Sequence, residues 1–296
     1  MNRKKIILTT FCCISLLVVL FNACKKDRVT QDDFQSMDSF YNDHKEEEQE
    51  YIIDTLGNCP LICKKQTKLC ASTDLLEFTN GSAVYYPFTL KVVELYSIKD
   101  MLLWRAPATA AGNILETSAE IRVRAFKNSS ELQLKPGKTY LMEMDTMQNL
   151  PSNMQVYYGY DSNNIIDWTN SSISAAANSY FYTLHPPQTG WVSSAKLHSS
   201  AAAQNTTITC TVPGTNTQNL EIYITFAGFK GLMKVTNLVS APLPIGEQVT
   251  LTAFGKKQTN DFVLFQQTFT VTANQQVPLT MSVVSEANLL SALDAL

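Results

Sequence analysis

Cysteine thiols are the side chains best suited to chemistry in this sequence of 296 residues, which contains seven of them. Four lie far from the N-terminus, at Cys59, Cys63, Cys70 and Cys210. The first three could bind a metal as thiolates, but they lack the tight Cys-x-x-Cys spacing and the neighbouring histidine of typical zinc sites. In an oxidising compartment such cysteines form disulfides instead, in pairings that the sequence cannot choose. We therefore expect disulfides among these four and no metal site, with free thiols as the alternative.

Histidines and carboxylates, which would serve as acid–base catalysts, occur without a recognisable motif. The three histidines are His44, His185 and His198, and the sequence has neither the His-Glu-x-x-His pattern of metalloproteases nor the Gly-x-Ser-x-Gly pattern of serine hydrolases. We predict that the protein is not an enzyme, has no catalytic residues and needs no cofactor. The alternative is a hydrolase in which folding brings His185 or His198 beside a nucleophile, or brings two carboxylates together.

Aromatic side chains are concentrated between residues 157 and 191, and they include Tyr158, Trp168 and Trp191. Exposed aromatic faces stack on sugars and on other flat apolar surfaces, so these three residues are candidates for a ligand-binding platform. Aromatic residues are also common in the cores of β proteins, which is the interpretation that we favour. The two interpretations differ in whether Trp168 and Trp191 are exposed and coplanar, or buried.

The N-terminal segment has the organisation of a secretory signal. Arg3, Lys4 and Lys5 precede an apolar run at residues 6–21, which ends just before Ala23 and Cys24. As a helix this run would be about 24 Å long, which is short of the roughly 30 Å hydrocarbon core of a bilayer. We therefore expect residues 1–23 to be a signal peptide; a transmembrane anchor is the alternative.

The tetrapeptide Phe21-Asn22-Ala23-Cys24 resembles the lipobox of bacterial lipoproteins, in which the cysteine receives a diacylglycerol before a peptidase cuts just ahead of it. Ala23 and Cys24 fit this pattern, whereas Phe21 stands where an aliphatic residue is usual. The resemblance implies that Cys24 is lipidated and anchors the mature protein. Two or three acyl chains suffice, because each buried methylene contributes about 0.8 kcal/mol. We expect anchoring to the outer membrane, on its surface-exposed or its periplasmic side.

The charges are distributed unevenly along the chain. Its net charge is −3, and residues 25–54 contain ten acids and four bases, so that residues 55–296 are formally neutral. A polar, self-repelling segment favours an extended chain, and we predict that residues 24–54 are a flexible acidic tether. A neutral body offers no basic stripe for phosphates, so we expect no nucleic-acid partner.

The body of the protein, from residue 55 onward, is predicted to be all-β. Short runs with apolar residues at every second position, such as residues 120–125, 220–226 and 249–253, are typical of half-buried strands. We predict two antiparallel sandwich-like domains, at residues 55–150 and 151–296, divided near Pro151. A short helix is expected at residues 285–296, where Ser285 can cap a leucine-rich face.

Several sequence blocks of the body resemble one family of proteins. These are residues 92–103 (VVELYSIKDMLL), 113–121 (NILETSAEI), 190–192 (GWV) and 244–250 (PIGEQVT). They are similar to lipoproteins of the Bacteroidota that carry a ZU5-like β-sandwich module followed by a second β domain. The resemblance implies architecture and an envelope location. We therefore expect a lipid-anchored, non-enzymatic structural or interaction module with an envelope protein or glycan as partner; a carbohydrate-binding lipoprotein is the alternative.

Overall fold

The computed structural model describes residues 34–145, 151–178, 180–199, 204–212 and 216–296. Within these ranges the chain is mostly β, with several antiparallel sheets, which confirms the predicted fold class. The helices are α1 (Asp38–His44), α2 (Ile98–Leu103) and α3 (Glu286–Asp294), with a 3-10 helix at Leu56–Asn58.

The first twelve strands in chain order are β1 (Phe34–Gln35), β2 (Gln49–Ile53), β3 (Leu61–Ile62), β4 (Lys68–Cys70), β5 (Leu76–Phe78), β6 (Phe88–Leu95), β7 (Thr109–Ala110), β8 (Asn113–Lys127), β9 (Ser130–Leu134), β10 (Leu141–Asp145), β11 (Gln155–Ser162) and β12 (Ile165–Ser174). The remaining strands are β13 (Ala176–Ala177), β14 (Phe181–Leu184), β15 (Gly190–Leu197), β16 (Asn205–Thr206), β17 (Thr209–Thr211), β18 (Glu221–Phe226), β19 (Leu232–Lys234), β20 (Leu243–Pro244), β21 (Gln248–Lys257), β22 (Phe262–Thr270), β23 (Gln276–Pro278) and β24 (Ser282–Val284).

The largest sheet joins strands from both sides of the predicted boundary at residue 150. Its main order is β12-β11-β15-β8-β6-β2, and its neighbouring strands are antiparallel. Strand β15 pairs with β8 from Gly190 opposite Val123 to Leu197 opposite Leu115. The predicted division into residues 55–150 and 151–296 is therefore wrong, because a sheet whose strands are hydrogen-bonded to one another belongs to one folded unit. The change from one unit to the next comes after β15.

Each of the two units has its own apolar core. In the first, the largest sheet packs against a five-stranded sheet with the order β13-β14-β10-β4-β3, and Val92, Ile121 and Met142 are fully buried between them. In the second, the sheet β19-β18-β21-β22-β24 encloses a core with Ile224 and Leu251. The parallel pair of β17 and β23 contributes to that second core.

A third core joins the two units and includes all three helices. Phe40 and Tyr41 of α1 lie in it beside Trp191 of the first unit and Phe254 of the second. Helix α3 contributes Leu289 and other leucines. The predicted C-terminal helix is thus confirmed, and the Ser285 side chain accepts a hydrogen bond from the backbone N–H of Asn288, as expected for an N-cap.

The predicted acidic tether is wrong for residues 34–54, which fold onto the body. Strand β1 pairs with β21 of the second unit, and β2 pairs with β6 at the edge of the largest sheet. The acids of this segment find bases in the body: Asp38 pairs with Arg105, Glu46 with Lys65, Glu48 with Arg124 and Glu50 with Lys91. Charge repulsion within the segment is therefore offset by these ion pairs, and Phe34, Met37 and Phe40 are buried. Residues 24–33 lie outside the described ranges.

No helix among the described residues is long and apolar enough to cross a membrane. The signal peptide expected at residues 1–23 lies outside the described ranges.

Candidate functional site

The cysteines do not form a common site. Cys59 and Cys70 are joined by a disulfide, with their Cα atoms 4.9 Å apart, whereas Cys63 and Cys210 are buried free thiols. Burial raises the pKa of the Cys63 thiol to about 12 and that of Cys210 to about 11. No group of three or more histidine, cysteine or acidic side chains among the described residues is placed to hold a metal. Cys24 lies outside those residues.

His198 is the histidine with the most structured surroundings. Its Nδ1 atom lies 2.9 Å from a carboxylate oxygen of Glu116, and its Nε2 atom lies 3.1 Å from one of Glu247. The ring stacks on Phe229 at a centroid distance of 4.2 Å. Because both ring nitrogens face carboxylates, neither faces a serine or threonine hydroxyl that it could activate. The arrangement holds β15 against the second unit. His185 is exposed, and no hydrogen bond or ion pair joins it to another described residue.

The aromatic platform predicted from Tyr158, Trp168 and Trp191 is not formed. Trp168 is 2% exposed and Trp191 is 7% exposed, and their rings meet edge to face at 77° rather than in one plane. Tyr158 packs instead against the core between the two sheets of the first unit. Trp168 and Trp191 both lie opposite Gly159 and share one face of the largest sheet, whereas the neighbouring Tyr158 points to the other face. Two of them are core residues, as the favoured interpretation predicted.

A cleft with a volume of about 670 Å³ lies beside helix α1 and is open to solvent. Its walls are helix α1, the turn after α2, strands β8 and β9, the β11–β12 hairpin and the start of β15. We call it the α1 cleft. The charged side chains that line it are Asp38, Lys45, Arg105, Arg122, Arg124, Glu131 and Asp161. Its volume lies within the range of about 300–1,000 Å³ that is usual for small-ligand sites.

The bases of the α1 cleft differ in how they are paired. The Arg124 guanidinium forms a bidentate ion pair with Glu48, in which Nε donates to Oε1 at 3.1 Å and Nη2 donates to Oε2 at 2.7 Å, and Arg105 pairs with Asp38. Lys45 donates a hydrogen bond to Asn42 at 2.7 Å. The Arg122 guanidinium forms no hydrogen bond or ion pair with any described residue, and it lies over the Trp191 ring at 5.8 Å. Arg122 is therefore a half-buried cation that no acid neutralises directly.

The electrostatic environment of Arg122 opposes its positive charge. Burial, followed by the nearby charge of Arg124, lowers the pKa of Arg122, although Glu48, Glu131 and Asp161 act in the other direction from a distance. A guanidinium remains protonated in proteins at neutral pH. Burial therefore destabilises the positive charge of Arg122, and an anion placed beside the guanidinium would reduce this destabilisation.

The backbone around the cleft brings these groups into position. Arg105 has a φ of +51°, an unusual value for a residue with a side chain, and its carbonyl accepts a hydrogen bond from the N–H of Ile166. The Nε atom of Arg105 is buried and has no acceptor among the described residues. This turn links α2 to the β11–β12 hairpin and places Trp104 and Arg105 in the same wall.

All three tryptophans of the chain lie at the α1 cleft or next to a residue that lines it. Trp104 and Trp191 line the cleft at a centroid distance of 5.6 Å, and Trp168 lies behind Trp191 at 6.5 Å. Gly159 permits this packing, because a Cβ atom there would lie 2.8 Å from the Trp191 Cβ and 3.0 Å from the Trp168 ring. Tryptophan emission of the protein therefore reports on this one region.

The α1 cleft combines a free cation, carboxylates, amides and aromatic rings in one concave surface. Such a set can pair with an anionic group and accept hydrogen bonds from hydroxyls. Sequence reasoning missed Arg105, Arg122 and Trp104, because no local motif marks them. The alternation of Glu120, Arg122 and Arg124 along one strand was visible as a pattern, but it did not indicate which of these charges would lack a partner.

Comparisons with known proteins give no family assignment. No protein-family model matches the chain, and no curated protein or solved structure matches it.

Proposed function

We propose that this protein is an exported lipoprotein, anchored to the outer membrane through Cys24, that acts as a non-enzymatic interaction module of the cell envelope and binds its partner in the α1 cleft. The observation that carries the binding role is the cleft itself, in which Arg122 is half-buried without an acid partner. Desolvated charges are normally paired inside a protein, so an unpaired one beside an open cleft favours an external partner.

The export part of the proposal is supported by the disulfide between Cys59 and Cys70. Disulfides persist in oxidising compartments and are rare in the cytosol of most organisms. The basic head, the apolar run and Cys24 at the N-terminus agree with the same location. The resemblance to envelope lipoproteins of the Bacteroidota with a ZU5-like module agrees with it as well.

The short distance from Cys24 to the folded body supports a binding site close to the membrane. Residues 25–33 separate the proposed lipid from β1, and ten fully extended steps of about 3.3–3.6 Å cover at most roughly 36 Å. Helix α1, one wall of the cleft, begins four residues after Phe34. A partner in the α1 cleft would thus be held within a few nanometres of the bilayer.

The non-enzymatic part is supported by the surroundings of the candidate catalysts. Both nitrogens of His198 face carboxylates, and the thiols of Cys63 and Cys210 are buried with raised pKa values. A nucleophilic cysteine needs the opposite, a lowered pKa and access to solvent.

Substitution of the proposed lipid-bearing residue tests the anchor. We expect Cys24→Ser to leave the protein either uncleaved or in the aqueous phase after detergent partitioning, because no acyl chain can be attached to serine by this route. Cys13→Ser is the matched control, since it removes a thiol from the apolar run and should leave retention unchanged. Mass spectrometry of the N-terminus shows the modification directly. A Cys24→Ser protein that is cleaved and still partitions with detergent would contradict the anchor.

A further inference from the structure

The charge balance of the α1 cleft indicates what kind of ligand it takes. Among its lining bases, Arg105 and Arg124 are occupied by Asp38 and Glu48, and Lys45 is held by Asn42. Arg122 is the lining base without such a partner in the described part of the chain. One carboxylate would fit a guanidinium of this kind with two parallel hydrogen bonds.

The other charges of the cleft argue against a polyanion. Glu131 and Asp161 line the same space and are exposed, so a ligand with several negative groups would meet repulsion from them. Carboxylates accept hydrogen bonds from hydroxyl groups, and the side-chain amides of Asn42 and Asn164 can both donate and accept. This lining fits a ligand with many hydroxyls and a single acid group.

Two aromatic side chains add a surface for an apolar ring face. Trp104 is half-buried, and Tyr160, which also lines the cleft, is 50% exposed, and its hydroxyl donates to Asp167 at 3.2 Å. Aromatic rings of this kind combine a large apolar face with a polar edge. They differ from the platform expected at Trp168 and Trp191, since these two rings can be reached by solvent.

We propose that the α1 cleft binds an acidic saccharide, a sugar unit of the uronic-acid type, whose carboxylate pairs with Arg122 and whose hydroxyls bond to the cleft acids and amides. The inference rests on the binding role proposed for the cleft and names the ligand class. A carboxylate on Arg122 also offsets the burial cost that this guanidinium bears in the free protein.

Tryptophan fluorescence of the full chain in detergent tests this proposal, because all three tryptophans lie at or behind the cleft. The probes are a disaccharide of glucuronic acid and glucose, which carries a single carboxylate and is called the uronate here, and the neutral disaccharide of two glucose units with the same linkage. We expect a saturable change with the uronate and at least tenfold weaker binding of the neutral sugar. Arg122→Gln should weaken uronate binding about tenfold or more, equivalent to about 1.4 kcal/mol, and should leave the neutral sugar unaffected.

Two further variants keep the result interpretable. Lys138→Gln removes the same charge at an exposed position away from the cleft and should bind the uronate as the parent does. Arg122→Lys keeps the positive charge but cannot form a bidentate pair with a carboxylate, so it should retain only part of the affinity for the uronate. Near-ultraviolet circular dichroism checks that each variant preserves the tryptophan packing.

The possible outcomes separate the ligand class from the binding role. Equal affinity for both sugars, or unchanged uronate binding by Arg122→Gln, overturns the acidic-saccharide assignment. A short peptide with a free C-terminal carboxylate that binds in the cleft more tightly than the uronate also overturns it, but leaves the cleft as an interaction site. Absence of any response to the uronate overturns the assignment too, whereas the anchor is tested separately at Cys24.

Discussion

Two charged residues on one face of β8 show how burial governs charge in this protein. Glu120 and Arg122 are two positions apart, so their side chains point to the same side of the sheet. Arg122 reaches the α1 cleft, whereas Glu120 is enclosed between the two units, and its buried Oε2 atom has no hydrogen-bond partner among the described residues. Burial raises the pKa of Glu120 well above its usual value, and the nearby Lys230 lowers it only in part. The folded state therefore favours the protonated form of this carboxyl over the ionised form.

Lys230 does not depend on Glu120 for its hydrogen bonds. Its ammonium donates to the backbone carbonyls of Tyr96 and Ser118, at 2.7 and 2.8 Å. Because these contacts cross from the second unit to the first, Lys230 joins the two units whether or not the carboxyl is ionised.

Glu120→Gln tests the protonation of this carboxyl. Above about pH 4.3 the unfolded carboxyl ionises while the folded one keeps its proton, so the free energy of unfolding of the parent falls as the pH rises towards the folded pKa. The amide of the variant cannot ionise, so only the parent loses stability in this window. Its free energy of unfolding falls by up to about 1.4 kcal/mol for each pH unit. We expect the variant to be more stable than the parent by at least about 1 kcal/mol at pH 7, and the difference to disappear below pH 4.3.

Urea unfolding at the two pH values gives the comparison. Glu47→Gln, at an exposed position, is the matched control and should change neither curve by more than a few tenths of a kcal/mol. A loss of stability in Glu120→Gln at pH 7 would show instead that the carboxyl is ionised and supports Lys230.

At the scale of elements, helix α1 has the greatest consequence for the site. It is short, and in isolation a helix of seven residues would not be stable in water. Its stability comes from Phe40, which contacts the rings of Phe254 and Phe262 at centroid distances of 6.3 and 5.5 Å. Glu286 of α3 also forms a hydrogen bond with His44, the last residue of α1. One wall of the cleft therefore depends on the core that joins the two units.

Phe40→Ala tests whether α1 belongs to the folded body. Loss of a fully buried phenylalanine typically costs about 3–5 kcal/mol, so we expect a large fall in the free energy of unfolding. A flexible tether would show no effect. Ser39→Ala, at the exposed neighbouring position, is the control and should be nearly neutral. An unchanged urea midpoint for Phe40→Ala would mean that the segment does not contribute to the fold in solution.

The elements that could be predicted are those with a strong local pattern. The alternation at residues 220–226 and 249–253 corresponds to β18 and β21, and the cap and leucine spacing at Ser285 correspond to α3. Helix α1 was missed because its composition is acidic. The partners that neutralise its acids, such as Arg105, are distant in the sequence, and only the spacing of Phe34, Met37 and Phe40 hinted at a buried face.

At the scale of the whole molecule, the site could not have been located from the sequence. The α1 cleft takes its lining from residues between Asp38 and Trp191, contributed by elements that meet only after the largest sheet has formed. The register that brings Arg122 opposite Trp191 is set by long-range pairing of β8 and β15. Local patterns predict strands, but they do not specify which distant strands pair.

The misplaced domain boundary leads to a prediction about the whole chain. A fragment of residues 55–150 contains β8 but lacks β15, which pairs with β8 from Leu115 to Val123, and β2, which pairs with β6. It would expose the edge of β8 and uncover Ile121 and Val123, which are buried in the intact protein. We expect this fragment to be unfolded or aggregated, with no cooperative urea transition, whereas the intact chain unfolds cooperatively under the same conditions. Circular dichroism and size-exclusion chromatography of the two proteins make the comparison. A soluble, cooperatively folding fragment would show that the predicted boundary separates independent domains after all, and that the pairing of β8 with β15 is dispensable for the first sandwich.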